Sequence, residues 1–231
     1  MKILTVIPAR SGSKSIKDKN IKLLKGRPLL DFSIKYSLKC SLITDTIVST
    51  DSKEYSEIAI SLGAKCPFLR PDYLAGDLVK DFEVINHALL KMEEINSHLY
   101  DLIVLLRPTS PLRPEGLIEK SVEMLLNDKS STSVRAMTKS NQHPFRSWKL
   151  SKDGSVESFF DHHEPYNFPR QELPVSYFQT GDIEVIKRDT IIKGSISGNK
   201  VLPILIDNND YIDIDEINDF IKAKRLLDEK Q

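Results

Sequence analysis

The chain has 231 residues, a length that suits one domain with a buried core and room for a deep site. Its 33 basic and 33 acidic residues cancel, so the whole molecule offers no field that would draw in nucleic acid or an anionic membrane; any anion must be bound locally. With 40% hydrophobic residues and no apolar run near the roughly 18 residues of a membrane span, the composition predicts a soluble globular protein with neither kind of partner.

In chain order, Ile3 to Ile7 reads as a first strand, and the opening MKILTVIPAR meets Pro8 and Arg10 too soon for a signal-peptide core. After Pro28, apolar residues at 29, 30, 34 and 38 predict a helix; Thr46 to Ser49 is a second strand. Val84, Ile85, Ala88, Leu89 and Met92 repeat at helical intervals, and Leu102 to Leu106 is a third strand. A helix is expected from near Pro114, with Glu115 in its first turn and Leu117, Ile118, Val122 and Leu125 buried. Residues 139 to 181 hold Pro144, Pro165, Pro169 and Pro174 among aromatic and polar side chains, the composition of an inserted substrate element. Ile183 to Ile186 and Val201 to Ile206 are strand-like, and Tyr211 to Ile214 leads into a last helix from about Glu216 to Asp228. Strands alternating with helices predict a single α/β domain over 1–231, built on a parallel sheet, with an excursion at about 139–181. Cys40 and Cys66 have no metal-type spacing and are expected as core thiols of a cytoplasmic protein.

The strongest local signal is IPARSGSKSIKDKN, directly after the first strand. Ligands of open parallel sheets gather beyond the carboxyl ends of the strands, and this loop brings Arg10, Lys14, Lys17 and Lys19 there. Gly12 and the serines let backbone amides approach phosphate oxygens, Arg10 offers a planar fork, and the lysines act as point charges, so a polyphosphate is the expected guest. The loop matches neither the Walker pattern nor GxGxxG, which disfavours an ordinary ATPase or dinucleotide binder; a merely solvated basic loop is the competing reading. Near the other end, Asp213 and Asp215 alternate with Ile212 and Ile214, which places both carboxylates on one side of an extended segment. Two hard oxygen ligands suit Mg²⁺ held against a triphosphate, the alternative being an acidic strand end with a helix cap. Asp207 and Asp210 read as turn residues, and Asp219 as an exposed residue of the last helix.

Taken together, IPARSGSKSIKDKN, GRPLLDFSI, VSTDS, LRPDYLAGD, LLRPTSPLRP, FPRQELP and YIDIDEINDF resemble, in order and over nearly the whole chain, the motifs of the acylneuraminate cytidylyltransferases. The resemblance implies a Rossmann-like, mostly parallel sheet with helices on both faces. It also implies a homodimer in which the protruding element reaches toward the partner's site, and the reaction of CTP with an acidic nonulosonic sugar to give CMP-sugar and pyrophosphate. In the matched signature loop (Ala9, Arg10, Ser11, Gly12, Lys14), Arg10 and Lys14 correspond to triphosphate contacts and Lys19 and Asn20 to the downstream Lys-Asn pair. Arg70 falls in the nucleotide-contacting region, or is a surface arginine before a proline turn; Asp77 completes that motif, or caps the helix after it. Asp213 and Asp215 match the metal motif, and Asp215, or a metal-bound water it positions, is the candidate base. Arg10 and Lys14 are assigned to the transition state and the leaving pyrophosphate.

On the acceptor side, Arg107, Thr109, Ser110 and Arg113 of the first proline-rich motif, Arg170 and Gln171 of the second, and Gln179 are expected around the sugar. Three positions depart from the usual family pattern: Arg107 stands where many members carry Gln, Asp81 where some carry a small hydroxylated residue, and Gln179-Thr180-Gly181 in place of Asn-Gly. They leave open the acceptor and, at Asp81, the base. His87, His162 and His163 are given no chemistry, and His143 lies on the sugar side. The rival readings are a nucleotidyltransferase for another nucleoside triphosphate or sugar, a Kdo-type acid or sugar phosphate included, and a noncatalytic nucleotide or sugar sensor.

Overall fold

A computed structural model describes residues 1–229. The elements run β1 (Ile3–Pro8), β2 (Leu23–Leu24), β3 (Arg27–Pro28), α1 (Leu29–Lys39), β4 (Asp45–Ser49), α2 (Lys53–Ser61), α3 (Asp81–Asn96), β5 (Leu102–Leu105), α4 (Leu117–Asn127) and β6 (Ser133–Lys139). They continue with β7 (Trp148–Leu150), β8 (Val156–Ser158), β9 (Tyr177–Lys187), α5 (Arg188–Ile192), β10 (Val201–Leu205) and α6 (Ile217–Glu229). Six strands form one sheet in the order β10-β6-β9-β5-β1-β4. Pairings β1 with β4, β1 with β5 and β10 with β6 are parallel, whereas β9 lies antiparallel between β5 and β6.

The alternation of apolar side chains explains the layering. Ile3 and Ile7 of β1 face a cluster with Leu30 and Ile34 of α1, Ala59 of α2 and Ile118 and Val122 of α4. Leu4 and Val6 face the opposite cluster, with Ile85, Leu89 and Met92 of α3 and Ile191 of α5. A sheet buried on both faces needs apolar runs without a polar side, which is how ILTVI and LIVL read. The mostly parallel sheet with helices on both faces is therefore the observed fold. No described helix is long and apolar enough to cross a membrane.

Three local expectations are corrected. Helix α4 begins at Leu117 behind Gly116, whose φ of 75° breaks the helix, so Glu115 precedes the first turn. Tyr211 to Ile214 is extended, as read from the sequence, and pairs with no strand; Ile212 and Ile214 are buried against Ile16, Leu24, Leu29, Leu112 and Phe220, and the Ile214 amide donates to the Thr109 carbonyl at 2.9 Å. Asp219 is a cap rather than a bystander, its Oδ2 accepting from the amides of Asp215 and Glu216 at 3.0 Å each. Within the stretch read as an excursion, Tyr177 to Gly181 already belong to β9, and the β7–β8 hairpin leaves the sheet between β6 and β9.

Candidate active site

From β1 the chain turns to β4 on one side, then crosses back to β5 on the other. The loops leaving the carboxyl ends of β1 and β5 diverge at this switch, which opens a crevice. A cleft of about 230 Å³ lies there, lined by Pro8, Arg10, Ser13, Lys19 and Asn20 from the first loop, by Arg70, Leu74, Gly76, Asp77, Val79, Asp81 and Val84 before and in α3, and by Arg107, Pro108 and Thr109 after β5.

The first loop is held at several points. The Ala9 amide continues the sheet by donating to the Ser49 carbonyl at 3.0 Å. Asp51, just past β4, accepts from the Ser11 amide at 2.8 Å and from Ser11 Oγ at 2.6 Å; burial opposes its charge, but these bonds hold the Asp51 carboxyl below its ordinary range. Gly12 has φ 69°, the left-handed turn that only glycine enters freely. Asn20 Nδ2 donates to the Arg10 carbonyl at 3.0 Å. Buried Lys19 donates to the Ile214 carbonyl at 2.9 Å and to Asp215 Oδ1 at 3.3 Å, tying the basic loop to the acidic segment. Arg10 Nη2 lies 2.6 Å from Asp77 Oδ1, and Lys14 Nζ pairs with Asp77 Oδ2.

Arg70 is not the surface residue its proline neighbour suggests. It is buried, with Nε donating to Ser49 Oγ at 3.1 Å and its terminal nitrogens directed at the Ser49 and Leu74 carbonyls. Arg107 Nη2 binds Asp81 Oδ2 at 2.5 Å and Glu184 Oε1 at 2.8 Å. Glu184, buried on β9, also faces Arg135 Nη2 at 2.7 Å, and Arg135 Nη1 donates to Gln179 Oε1 at 2.5 Å. Burial disfavours the Arg107 charge, yet Glu184 and Asp81 outweigh it and raise its pKa above the ordinary arginine value. Arg113 is likewise engaged, donating to the Asp182 and Arg107 carbonyls at 2.5 Å each and to Ser33 Oγ at 3.0 Å.

Below this network the acidic segment meets β9. A Cβ on Gly181 would stand 2.6 Å from Ser110 Oγ and 3.7 Å from Asp213 Oδ2, so glycine permits the close approach of β9 to both. Asp213 Oδ1 is buried and meets no hydrogen-bond partner among the described residues. Both carboxylate oxygens of fully buried Asp182 are in the same state, and burial pushes the Asp182 carboxyl up to about 6 against the pull of Arg113.

The family model described as Cytidylyltransferase matches residues 4–197. The chain belongs to the cytidylyltransferase family. It is 34% identical over 231 residues to N-acylneuraminate cytidylyltransferase of Escherichia coli O18:K1:H7, an alignment covering 99% of this chain and 53% of the relative, so the chain spans about half that protein's length. It is 32% identical over 239 residues to CMP-N,N'-diacetyllegionaminic acid synthase of Legionella pneumophila subsp. pneumophila, covering 100% of this chain and 98% of that one. A solved structure of CMP:2-keto-3-deoxy-manno-octonic acid synthetase complexed with CTP superposes with a TM-score of 0.75 at 15% identity, covering 100% of each chain, a likeness of fold.

In this cytidylyltransferase the cleft gathers Arg10, Lys19, Asn20, Arg70, Asp77, Arg107 and Thr109; Asp77 brings in Lys14, and Lys19 brings in Asp215. Ser110 is buried behind the cleft, while Arg170 and Gln171 are exposed on the excursion and do not line it. Gln179, also exposed, answers Arg135. His143 accepts from the Phe145 amide at 3.2 Å within a cluster of aromatic rings. Asp51, Arg135, Asp182 and Glu184 received no role from the sequence. The one available signal was the pair of charges at alternate positions in DIEVI, both on one face of an otherwise apolar strand.

Proposed function

We propose that this cytidylyltransferase moves CMP from CTP to the anomeric hydroxyl of an acidic nonulosonic sugar and releases pyrophosphate. The observation that supports the reading is the basic β1 loop, which lines the cleft and is held through Lys19 against the Ile214 carbonyl and Asp215 Oδ1. Arg10 and Lys14 would grip the β- and γ-phosphates and take up charge as pyrophosphate departs. Asp213, with a buried and unpartnered oxygen, and Asp215, 79% exposed at its side chain, form a donor set that fits Mg²⁺, which takes few carboxylates alongside phosphates and water. Bound there, the ion would supply further neutralisation of the phosphates. The new bond joins the anomeric oxygen to the α-phosphorus as the bond from that phosphorus to the leaving pyrophosphate breaks. Asp215 takes the hydroxyl proton, and placement with electrostatics does the rest.

Arg107, neutralised by Asp81 and Glu184, is assigned to holding Asp81 at the cleft; Thr109, which lines it, and Arg170 and Gln171 of the excursion are the proposed partners for the sugar. Asp81 is an acceptor, suited to an exocyclic amine; cytosine, adenine and guanine each have one and uracil does not, so ATP or GTP is the second reading. The enzyme is further proposed to be a cytoplasmic homodimer that uses its excursion, on which Trp148, Leu150, Phe159 and Phe160 are exposed.

The test is pyrophosphate release from each of the four nucleoside triphosphates against sialic, legionaminic, pseudaminic and Kdo-type acids with Mg²⁺. Turnover is expected with CTP and a nine-carbon acid, and none with CTP and any keto-acid sugar would sink the proposal. Lys14→Ala and Asp215→Asn are each expected to lower turnover at least about tenfold, roughly 1.4 kcal/mol of transition-state stabilisation. Full activity in either folded variant removes its role.

A further inference from the structure

We propose that Asp77 is a tethered anion that holds Arg10 and Lys14 in place until a polyphosphate displaces it, a role that rests on reading those two cations as triphosphate ligands. Both carboxylate oxygens are engaged, Oδ1 by Arg10 Nη2 at 2.6 Å and Oδ2 by Lys14 Nζ. Asp77 thus presents to the basic loop what two phosphate oxygens would present. The segment carrying it is attached at a second point, where Arg10 Nη1 donates to the Ala75 carbonyl at 3.3 Å. Nor does Asp77 cap α3, the role its sequence position suggests: that helix begins at Asp81, and its first turn is closed by Glu83 Oε2 accepting from the Lys80 amide at 2.8 Å.

Displacement is easy by design of the surroundings. The side chains of Asp77 and Lys14 are 37% and 82% exposed, so water and salt weaken the pairs. A monoanionic carboxylate yields to a ligand that brings several charges to the same cations. Any ligand of Arg10 and Lys14 then binds with an affinity reduced by the fraction of molecules in which Asp77 is in place. On departure of pyrophosphate the carboxylate returns, so the same contact favours product release and keeps two flexible side chains ordered between turnovers.

Calorimetric titration with inorganic pyrophosphate, without divalent cations, tests this on the full chain. Asp77→Asn, which keeps the shape and removes the charge, is expected to tighten pyrophosphate binding about fivefold. Asp77→Glu is expected to stay within about twofold of the unmodified chain, and Lys14→Ala to weaken binding. A purely structural role for Asp77 would weaken binding on substitution, the opposite sign. Equal or weaker binding by Asp77→Asn alongside weakened Lys14→Ala overturns the tethered anion and leaves the triphosphate reading standing. Unchanged binding by Lys14→Ala, or none by the unmodified chain, overturns both. If Asp77→Asn does not fold, Asp77→Ser carries the same expectation.

Discussion

Asp182 is a carboxylate with no room for charge: fully buried on β9, it meets no hydrogen-bond partner among the described residues, and burial pushes its pKa up to about 6. The unfolded chain holds that proton with a pKa of about 3.9, so between roughly pH 4 and 6 the folded state binds more protons than the unfolded one. The stability contributed by neutral Asp182 is complete below about pH 4 and is lost as the pH rises through 6. Asp182→Asn is therefore expected to raise unfolding free energy at pH 7.5 by about 1–3 kcal/mol and to flatten the decline between pH 4 and 6. Urea titrations across that range decide it; parallel pH profiles for both proteins would show that Asp182 is not the titrating group. The sequence displayed this charge, and Glu184 beside it, but not the arginines that surround them. Arg107 and Arg113 lie about 70 positions upstream, and their pairings follow from β5 and β9 lying side by side. From sequence Arg107 is therefore expected to answer the sugar, whereas the fold gives it two carboxylates of its own chain.

At the scale of the element, the segment Tyr211 to Ile214 positions the acidic pair without belonging to the sheet. Its alternation was legible, because Ile212 and Ile214 enter the apolar cluster, whereas Asp213 keeps a buried oxygen beside β9 and Asp215 is exposed. What it packs against was not: the anchor is a third cluster built from the β1 loop, α1 and α6. Ile214→Ala is expected to cost about 2–4 kcal/mol of stability, as other buried Ile truncations do, and to lower turnover because its neighbours on both sides are the acidic pair. Thermal or urea unfolding checks the first part and the pyrophosphate assay at a temperature where the variant is folded checks the second. The strands β6 and the first half of β9 escaped the sequence reading for a related reason. SVRAMTK alternates correctly but carries Arg135, and QTGD has no apolar member to mark it as strand; the ion pairs among Arg107, Arg135 and Glu184 make those charges compatible with the sheet.

For the whole molecule, the excursion between β6 and β9 exposes apolar side chains, Leu150 at 78% among them, which the proposed homodimer would cover. Leu150→Glu is expected to shift the sedimenting mass from dimer toward monomer at micromolar concentration, and an unchanged mass would place the interface elsewhere. The sequence by itself determined the layered α/β plan, since apolar runs at strand and helix periods fix which faces are buried, and it marked the basic loop and the acidic pair, whose chemistry is carried by residue type and short spacing. Only the tertiary structure decided how those charges are answered. Asp77 before α3 pairs with Arg10 and Lys14, Glu184 of β9 pairs with Arg107, and Lys19 bridges to Asp215 across 196 positions. Such pairings depend on distance in space, and local patterning holds no record of it.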